Sequence, residues 1–206
     1  MSRRTAKSAE WRRTWERDRA VRASRAEGFR SRAAYKLMEI DDSAKLFFTG
    51  ARVADLGCAP GGWSQVSAGR VGKSGIVAGA DILPMSPLKG VNFVQGDFLE
   101  SETMRALSEI LGGRADVVLS DMSPNLSGIA VSDQARAADL ARAAVEFAES
   151  FLPSGGRILM KVFQGASFAE VRGYLAVNFV ESRIFRPEAT RRSSREVYIL
   201  AKRAKK

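Results

Sequence analysis

Short apolar runs alternate along the chain with stretches whose apolar residues recur at helical spacing. Ser31 to Leu46 places Ala34, Leu37, Met38 and Ile40 on one face of a helix. Runs of strand length follow at Arg52 to Leu56, Gly75 to Asp81, Val91 to Gln95, Asp116 to Asp121 and Arg157 to Phe163. Ala135 to Leu152 repeats Leu140, Ala144, Phe147 and Phe151 at helical spacing before Pro153 and two glycines end it, which reads as a covering helix. A further pair, roughly Phe179 to Phe185 and Glu196 to Ala201, follows without a long intervening helix and is expected to close the sheet as an antiparallel hairpin. Strands alternating with helices predict an α/β fold, its mostly parallel sheet covered on both faces.

Such a sheet binds ligands beyond the carboxyl ends of its strands, near the point where strand order reverses. The predicted strand ends carry or adjoin Asp55, Asp81, Asp97, Asp121 and Lys161. One terminal aspartate is commonly a turn or cap residue; four at neighbouring ends favour a site. The first strand runs into Gly57-Cys58-Ala59-Pro60-Gly61-Gly62, where glycines let a backbone approach a ligand closely. This is not the G-x-G-x-x-G turn of dinucleotide binders, and Pro60 has no N–H for a pyrophosphate. A ligand with an adenosine, no phosphate and a positive charge suits the turn and the acids better, and S-adenosylmethionine meets those conditions. Asp81 follows at about the 20-residue spacing at which an acid takes ribose hydroxyls, and Asp97 is placed to meet the adenine.

Charge and composition narrow the chemistry. Histidine is absent and Cys58 is the single cysteine, so triads built on histidine, disulfide frameworks and cysteine-held metals are excluded, and no metal is expected. The net charge of +10 is uneven: residues 1–36 hold 12 basic against 4 acidic side chains, and residues 183–206 hold 9 against 2. Polycationic ends around an acidic middle point to a polyanion such as RNA. Arg30, Arg32 and Lys36, with Arg191, Arg192 and Arg195, are expected to form one phosphate-gripping surface; Trp11 and Trp15 would stack on bases or pack an arm. No apolar run reaches the roughly 18 residues of a membrane span, and no secretory h-region is present. These features predict a soluble, cytoplasmic monomer with a basic arm over 1–28, one domain over 29–202 and a basic tail over 203–206.

The segments LGCAPGGWSQ, SDMSPN, MKVFQG and SREVYI, with RSRAAYKL near the start, resemble those of the FtsJ-type ribosomal RNA methyltransferases. The resemblance implies the Rossmann-like fold of S-adenosylmethionine-dependent methyltransferases and 2′-O-methylation of a uridine in large-subunit rRNA, in the assembled ribosomal particle. It also implies cofactor contacts at Gly61, Trp63, Asp81, Asp97 and Asp121, and a catalytic tetrad of Lys36, Asp121, Lys161 and Glu196, with Lys161 as proton acceptor. Relatives with the same tetrad modify tRNA or messenger caps. A nucleotide-dependent oxidoreductase and a noncatalytic ribosome-assembly factor are the competing classes. Without histidine, Lys, Asp, Glu and Tyr remain for proton transfer, and the lysine that the resemblance implies as acceptor has to be neutral, although an unperturbed lysine titrates near about 10.4. Burial and a second ammonium favour its neutral form and nearby carboxylates the charged one, so the sequence leaves base and polariser both open.

Overall fold

The computed structural model describes residues 26–124, 128, 130–165, 168–191 and 193–204. Most of the basic arm, including Trp11 and Trp15, and also Arg192, lie outside them. The described residues form one seven-stranded sheet in the order β3-β2-β1-β4-β5-β7-β6. Its strands are β1 (Arg52–Leu56), β2 (Ile76–Asp81), β3 (Asn92–Gln95), β4 (Val117–Ser120), β5 (Arg157–Phe163), β6 (Phe179–Phe185) and β7 (Glu196–Arg203). Strands β1 to β5 are parallel; β7 runs antiparallel to both β5 and β6. The chain winds outward from β1 to β3, then returns to place β4 on the other side of β1. The switch point therefore lies between the ends of β1 and β4, at Asp55 and Asp121.

Among the described residues five helices cover the sheet: α1 (Ala33–Ala44), α2 (Gly62–Val71), α3 (Ser101–Leu111), α4 (Ala130–Phe151) and α5 (Phe168–Asn178). Helix α4 begins five residues earlier than its apolar repeat. Helix α5 stands where no helix was expected before β6. Its buried residues are Val171 and Leu175, while Tyr174 and Val177 face outward, so apolar side chains on both sides blur the helical period.

Side chains alternate across each strand, and that alternation divides the core in two. Ala54, Leu56, Val118, Ile158, Met160 and Ile199 pack with α3, α4 and α5. Val53, Val117, Leu119, Leu159, Tyr198 and Leu200 pack with α1 and α2. By the same parity Asp55, Lys161 and Glu196 belong to the α1 and α2 side. Helix α1 meets that side with Ala34, Lys36, Leu37, Ile40 and Asp41, so one lysine sits on its buried stripe. Asp41 fixes the helix: Oδ1 accepts from Phe47 N at 3.1 Å, and Oδ2 pairs with Arg70 Nε of α2 at 2.9 Å.

A glycine in β2 lets the turn after β1 settle onto the sheet. Gly79 is the register partner of Asp55, and a Cβ there would lie 2.8 Å from Cys58 Sγ and 3.1 Å from its Cβ. Alanine suits an extended backbone better than glycine, yet Gly79→Ala is expected to cost roughly 1–3 kcal/mol through overpacking, read by urea unfolding. Adding Cys58→Ala recovers part of that loss; strictly additive effects of the two substitutions would show that this contact is not responsible.

Candidate active site

Four charged side chains and one phenol form a continuous row under α1. Lys36 Nζ pairs with Glu196 Oε1 and donates to the Tyr198 hydroxyl at 3.0 Å. Tyr198 in turn donates to Asp121 Oδ1 at 3.3 Å. Lys161 Nζ lies 3.2 Å from the same Oδ1 and donates to the Asp121 main-chain oxygen at 2.7 Å. Strand register assembles the row, because Lys161 is paired with Tyr198 and Phe163 with Glu196 across β5 and β7. Both lysine side chains are nearly enclosed, at 7% and 8% exposure, whereas Asp121 remains 21% exposed and faces the switch point.

The electrostatics hold these groups in defined states. Burial raises the Glu196 carboxyl, but the Lys36 ammonium and its hydrogen bond, joined by the charge of Lys161, outweigh it and keep Glu196 below its ordinary range. Burial, and then the carboxylates of Asp121 and Glu196, push the Tyr198 phenol well above its usual range, so it stays a proton donor. Tyr198 is fully buried, and its ring meets that of Trp63 at 5.6 Å.

Two cavities open on either side of the glycine turn and share Gly57, Ala59 and Asp121. The larger, about 460 Å³, is lined by Asp81, Ile82, Leu83, Asp97, Phe98, Met122 and Leu140 among others. Asp81 is clamped by main-chain donors, Oδ2 taking Ala59 N and Oδ1 taking Leu83 N, each at 2.8 Å. Asp97 Oδ1 takes Leu99 N at 3.0 Å. Ile82 and Leu83 expose about 60% of their surface, providing apolar walls beside the two acids. The smaller cavity, about 260 Å³, reaches from the turn to Arg32, Lys36 and Asp55. Helix α2 starts at its edge, and the N–H groups of a first helical turn have no intrahelical acceptor. A carboxylate is the natural occupant of such an end.

Asp55 lies on the floor of the smaller cavity. It is 1% exposed; Oδ2 accepts from the Ser64 hydroxyl at 2.6 Å, while Oδ1 has no hydrogen-bond partner. Burial, with the charges of Asp121 and Asp81 and against the Ser64 hydrogen bond, pushes its carboxyl up to about 7. Cys58, beside it, is also buried, and burial together with Asp55 and Asp81 pushes its thiol up.

The structure brings Lys36, Asp121, Lys161 and Glu196 together, and Asp81, Asp97 and Asp121 line one cavity. Gly61 lies elsewhere in the turn, at φ +106° as the residue before α2, where a Cβ would meet Met85 Sδ at 2.8 Å and Arg30 Cδ at 3.2 Å. Trp63 lines the smaller cavity but is buried in the core and donates Nε1–H to Ala33 O at 2.9 Å. Arg32 lines the smaller cavity and Arg195 is exposed beside Glu196, but Arg30 spends its guanidinium on main-chain carbonyls. Sequence reasoning passed over Tyr198 and named Asp55 only as an acid at a strand end, not among the cofactor contacts. Their strand parity, shared with Lys161 and Glu196, was the available signal.

Comparison with known proteins identifies the family to which the chain belongs. A model of the FtsJ-like methyltransferase family matches residues 29–204. The ribosomal RNA large subunit methyltransferase E of Azoarcus sp. is 50% identical over 89% of this chain and 90% of its own. The protein of the same name from Neisseria meningitidis is 44% identical over 98% of both chains. Among solved structures, a Plasmodium falciparum protein described as a ribosomal RNA methyltransferase superposes with a TM-score of 0.76 at 29% identity, covering 85% of this chain and 98% of its own. Aeropyrum pernix fibrillarin, solved with S-adenosyl-L-methionine, shares the fold at a TM-score of 0.58 and 16% identity, over 82% of this chain and 75% of its own.

The raised carboxyl of Asp55 has a measurable consequence. The folded protein holds this proton more tightly than the unfolded chain, so the stability it lends is complete below about pH 4 and lost as pH rises through about 7. Asp55→Asn, neutral at every pH and still able to accept from Ser64, should be more stable than the parent by on the order of 2–4 kcal/mol at about pH 8.5. The two should converge near pH 4; parallel stability curves across this range would refute the assignment.

Proposed function

Because the chain belongs to the FtsJ-like methyltransferase family, we propose that it is an S-adenosylmethionine-dependent enzyme that methylates the 2′-hydroxyl of a uridine in large-subunit ribosomal RNA. The observation that carries this reading is the meeting of the two cavities at Asp121, with Lys161 bonded to it and the Lys36–Glu196 pair one phenol away. The relatives named for the large ribosomal subunit, at 44–50% identity over most of both chains, support that substrate.

The residues present fit the cofactor. Asp81, pinned by two N–H groups, has acceptor capacity left for ribose hydroxyls, and Asp97 with Ile82 and Leu83 suits an adenine. The first turn of α2 suits a carboxylate, and the unpartnered Asp55 Oδ1 together with Asp121 suits a cation. Gly61 and Trp63 serve by shaping that turn. When bound, S-adenosylmethionine supplies an electrophilic methyl group on a positively charged sulfur. The protein has to hold a hydroxyl in line with that methyl and take its proton.

Lys161 is placed for the second task. Once Lys161 has given up the proton of its ion pair with Asp121, the neutral amine has two N–H bonds, directed to Asp121 O and Oδ1, and one lone pair left for the hydroxyl. As the oxygen–methyl bond forms, the hydroxyl proton passes to Lys161, and the resulting ammonium is stabilised by the Asp121 carboxylate already in contact. Lys36 gives two donors to Glu196 and Tyr198 and keeps a third for the ribose. Tyr198, protonated and buried, fixes the spacing of the two pairs. Arg32 and Arg195 grip phosphates, and the 2′-hydroxyl itself distinguishes RNA from DNA. No helix among the described residues is long and apolar enough to cross a membrane; the proposal takes the protein as a monomer working in the cytoplasm on the ribosomal particle.

Radiolabelled methyl transfer to large subunits prepared without this modification tests the reading, with the labelled nucleotide mapped afterwards. Lys161→Ala and Asp121→Ala should each lower kcat about 10²–10⁴-fold. Near-parental turnover in either variant removes the proposed proton path, and label confined to tRNA replaces the substrate.

A further inference from the structure

The charge of Arg30 reads in the sequence as a phosphate contact, but its bonds describe a different task. Nη1 donates to Pro60 O at 3.3 Å and to Ser86 O at 2.7 Å, and Nη2 donates to Pro87 O at 2.6 Å. One guanidinium thus joins the glycine turn after β1 to the loop after β2. Its own main chain is anchored as well: Arg30 N donates to Gln65 Oε1 at 3.1 Å, and Gln65 Nε2 donates to Gly28 O at 2.9 Å. The adjoining Ser31 packs so closely on Gly62 that a Cβ there would collide with its Oγ.

The clasped loop matters to the cofactor cavity. Residues 82–91 have no regular secondary structure, and Pro84 and Pro87 donate no hydrogen bond. The loop nevertheless supplies Ile82 and Leu83 to the cavity wall and Leu83 N to Asp81. A wall that must be ordered upon binding lowers affinity by the entropy of ordering it, and a wall held in place beforehand does not. Arg30 grips this loop from outside the cavity, two residues before Arg32 and six before Lys36.

We propose that Arg30 is a positioning residue for the cofactor, preordering the 82–88 loop against the glycine turn, and does not contact RNA phosphate. The inference rests on the reading that the larger cavity takes S-adenosylmethionine. Guanidinium geometry is what the three carbonyls demand: a lysine keeps the charge but offers a single point of donation that cannot span them. A phosphate contact would tolerate the same exchange.

The test uses the full chain with Arg30→Lys and Arg30→Gln, and Arg195→Gln for comparison. Calorimetric titration with S-adenosylhomocysteine should show about tenfold weaker binding in both Arg30 variants, equivalent to about 1.4 kcal/mol. KM for S-adenosylmethionine should rise similarly, with kcat at saturating cofactor within about twofold of the parent. The salt dependence of RNA binding should be unchanged in the Arg30 variants, whereas Arg195→Gln should lose about one unit of slope. An Arg30→Lys protein with parental cofactor affinity overturns the proposal, as does an Arg30→Gln protein that loses the salt slope and keeps that affinity. If Arg30→Gln does not fold, Arg30→Lys alone decides. Failure of S-adenosylhomocysteine to bind the parent overturns the cofactor reading and this inference with it.

Discussion

An ammonium can stay inside a protein only if a carboxylate stays with it, because an unpaired buried charge costs several kcal/mol. This chain buries two, Lys36 and Lys161, beneath one helix and gives each its own acid. Tyr198 then ties the pairs together, with Asp121 on one side and Lys36 on the other. Much of the surrounding architecture serves that row. Antiparallel β7 is inserted beside β5 in a register that sets Tyr198 opposite Lys161, and α1 is clamped by Asp41 and Arg70 so that Lys36 descends at the right height. The arrangement carries a stability cost that an apolar core would avoid.

The sheet places opposite polarities on the two sides of one junction. Asp81 and Asp97 lie on the side of the larger cavity, Arg32 and Lys36 on the other, and Asp121 belongs to both. Asp121, common to both cavities, is therefore where a positively charged small molecule and a polyanion would meet. The acidic middle and basic ends seen along the sequence are the one-dimensional trace of that division.

The parallel strands were legible because buried parallel strands are short continuous apolar runs: β1 and β5 have the bounds that the pattern predicts, as does the exposed antiparallel edge strand β6. The reversal point was legible through its aspartates. Lys36 carried a faint signal, standing four residues before Ile40 on the apolar stripe of α1, where a solvated lysine has no reason to be. Helix α5 was hidden because Tyr174 and Val177 put apolar groups on its outer face. Arg30 and Trp63 show a different limit. Sequence reports that a guanidinium or an indole is available, but the choice between ligand and main-chain carbonyl is made by neighbours many positions away, Ser86 and Pro87 for one and Ala33 for the other.

The buried cysteine beside Asp55 takes on meaning from the company it keeps. A thiolate attacks alkyl donors far more readily than a ribose oxygen does, and Cys58 lines the smaller cavity together with Asp55 and Asp121. The burial and the acids around it raise its thiol and hold it in the unreactive SH form. Burial first, and the neighbouring carboxylates with it, thus keep the one thiol of the chain unreactive beside the site of a cationic methyl donor.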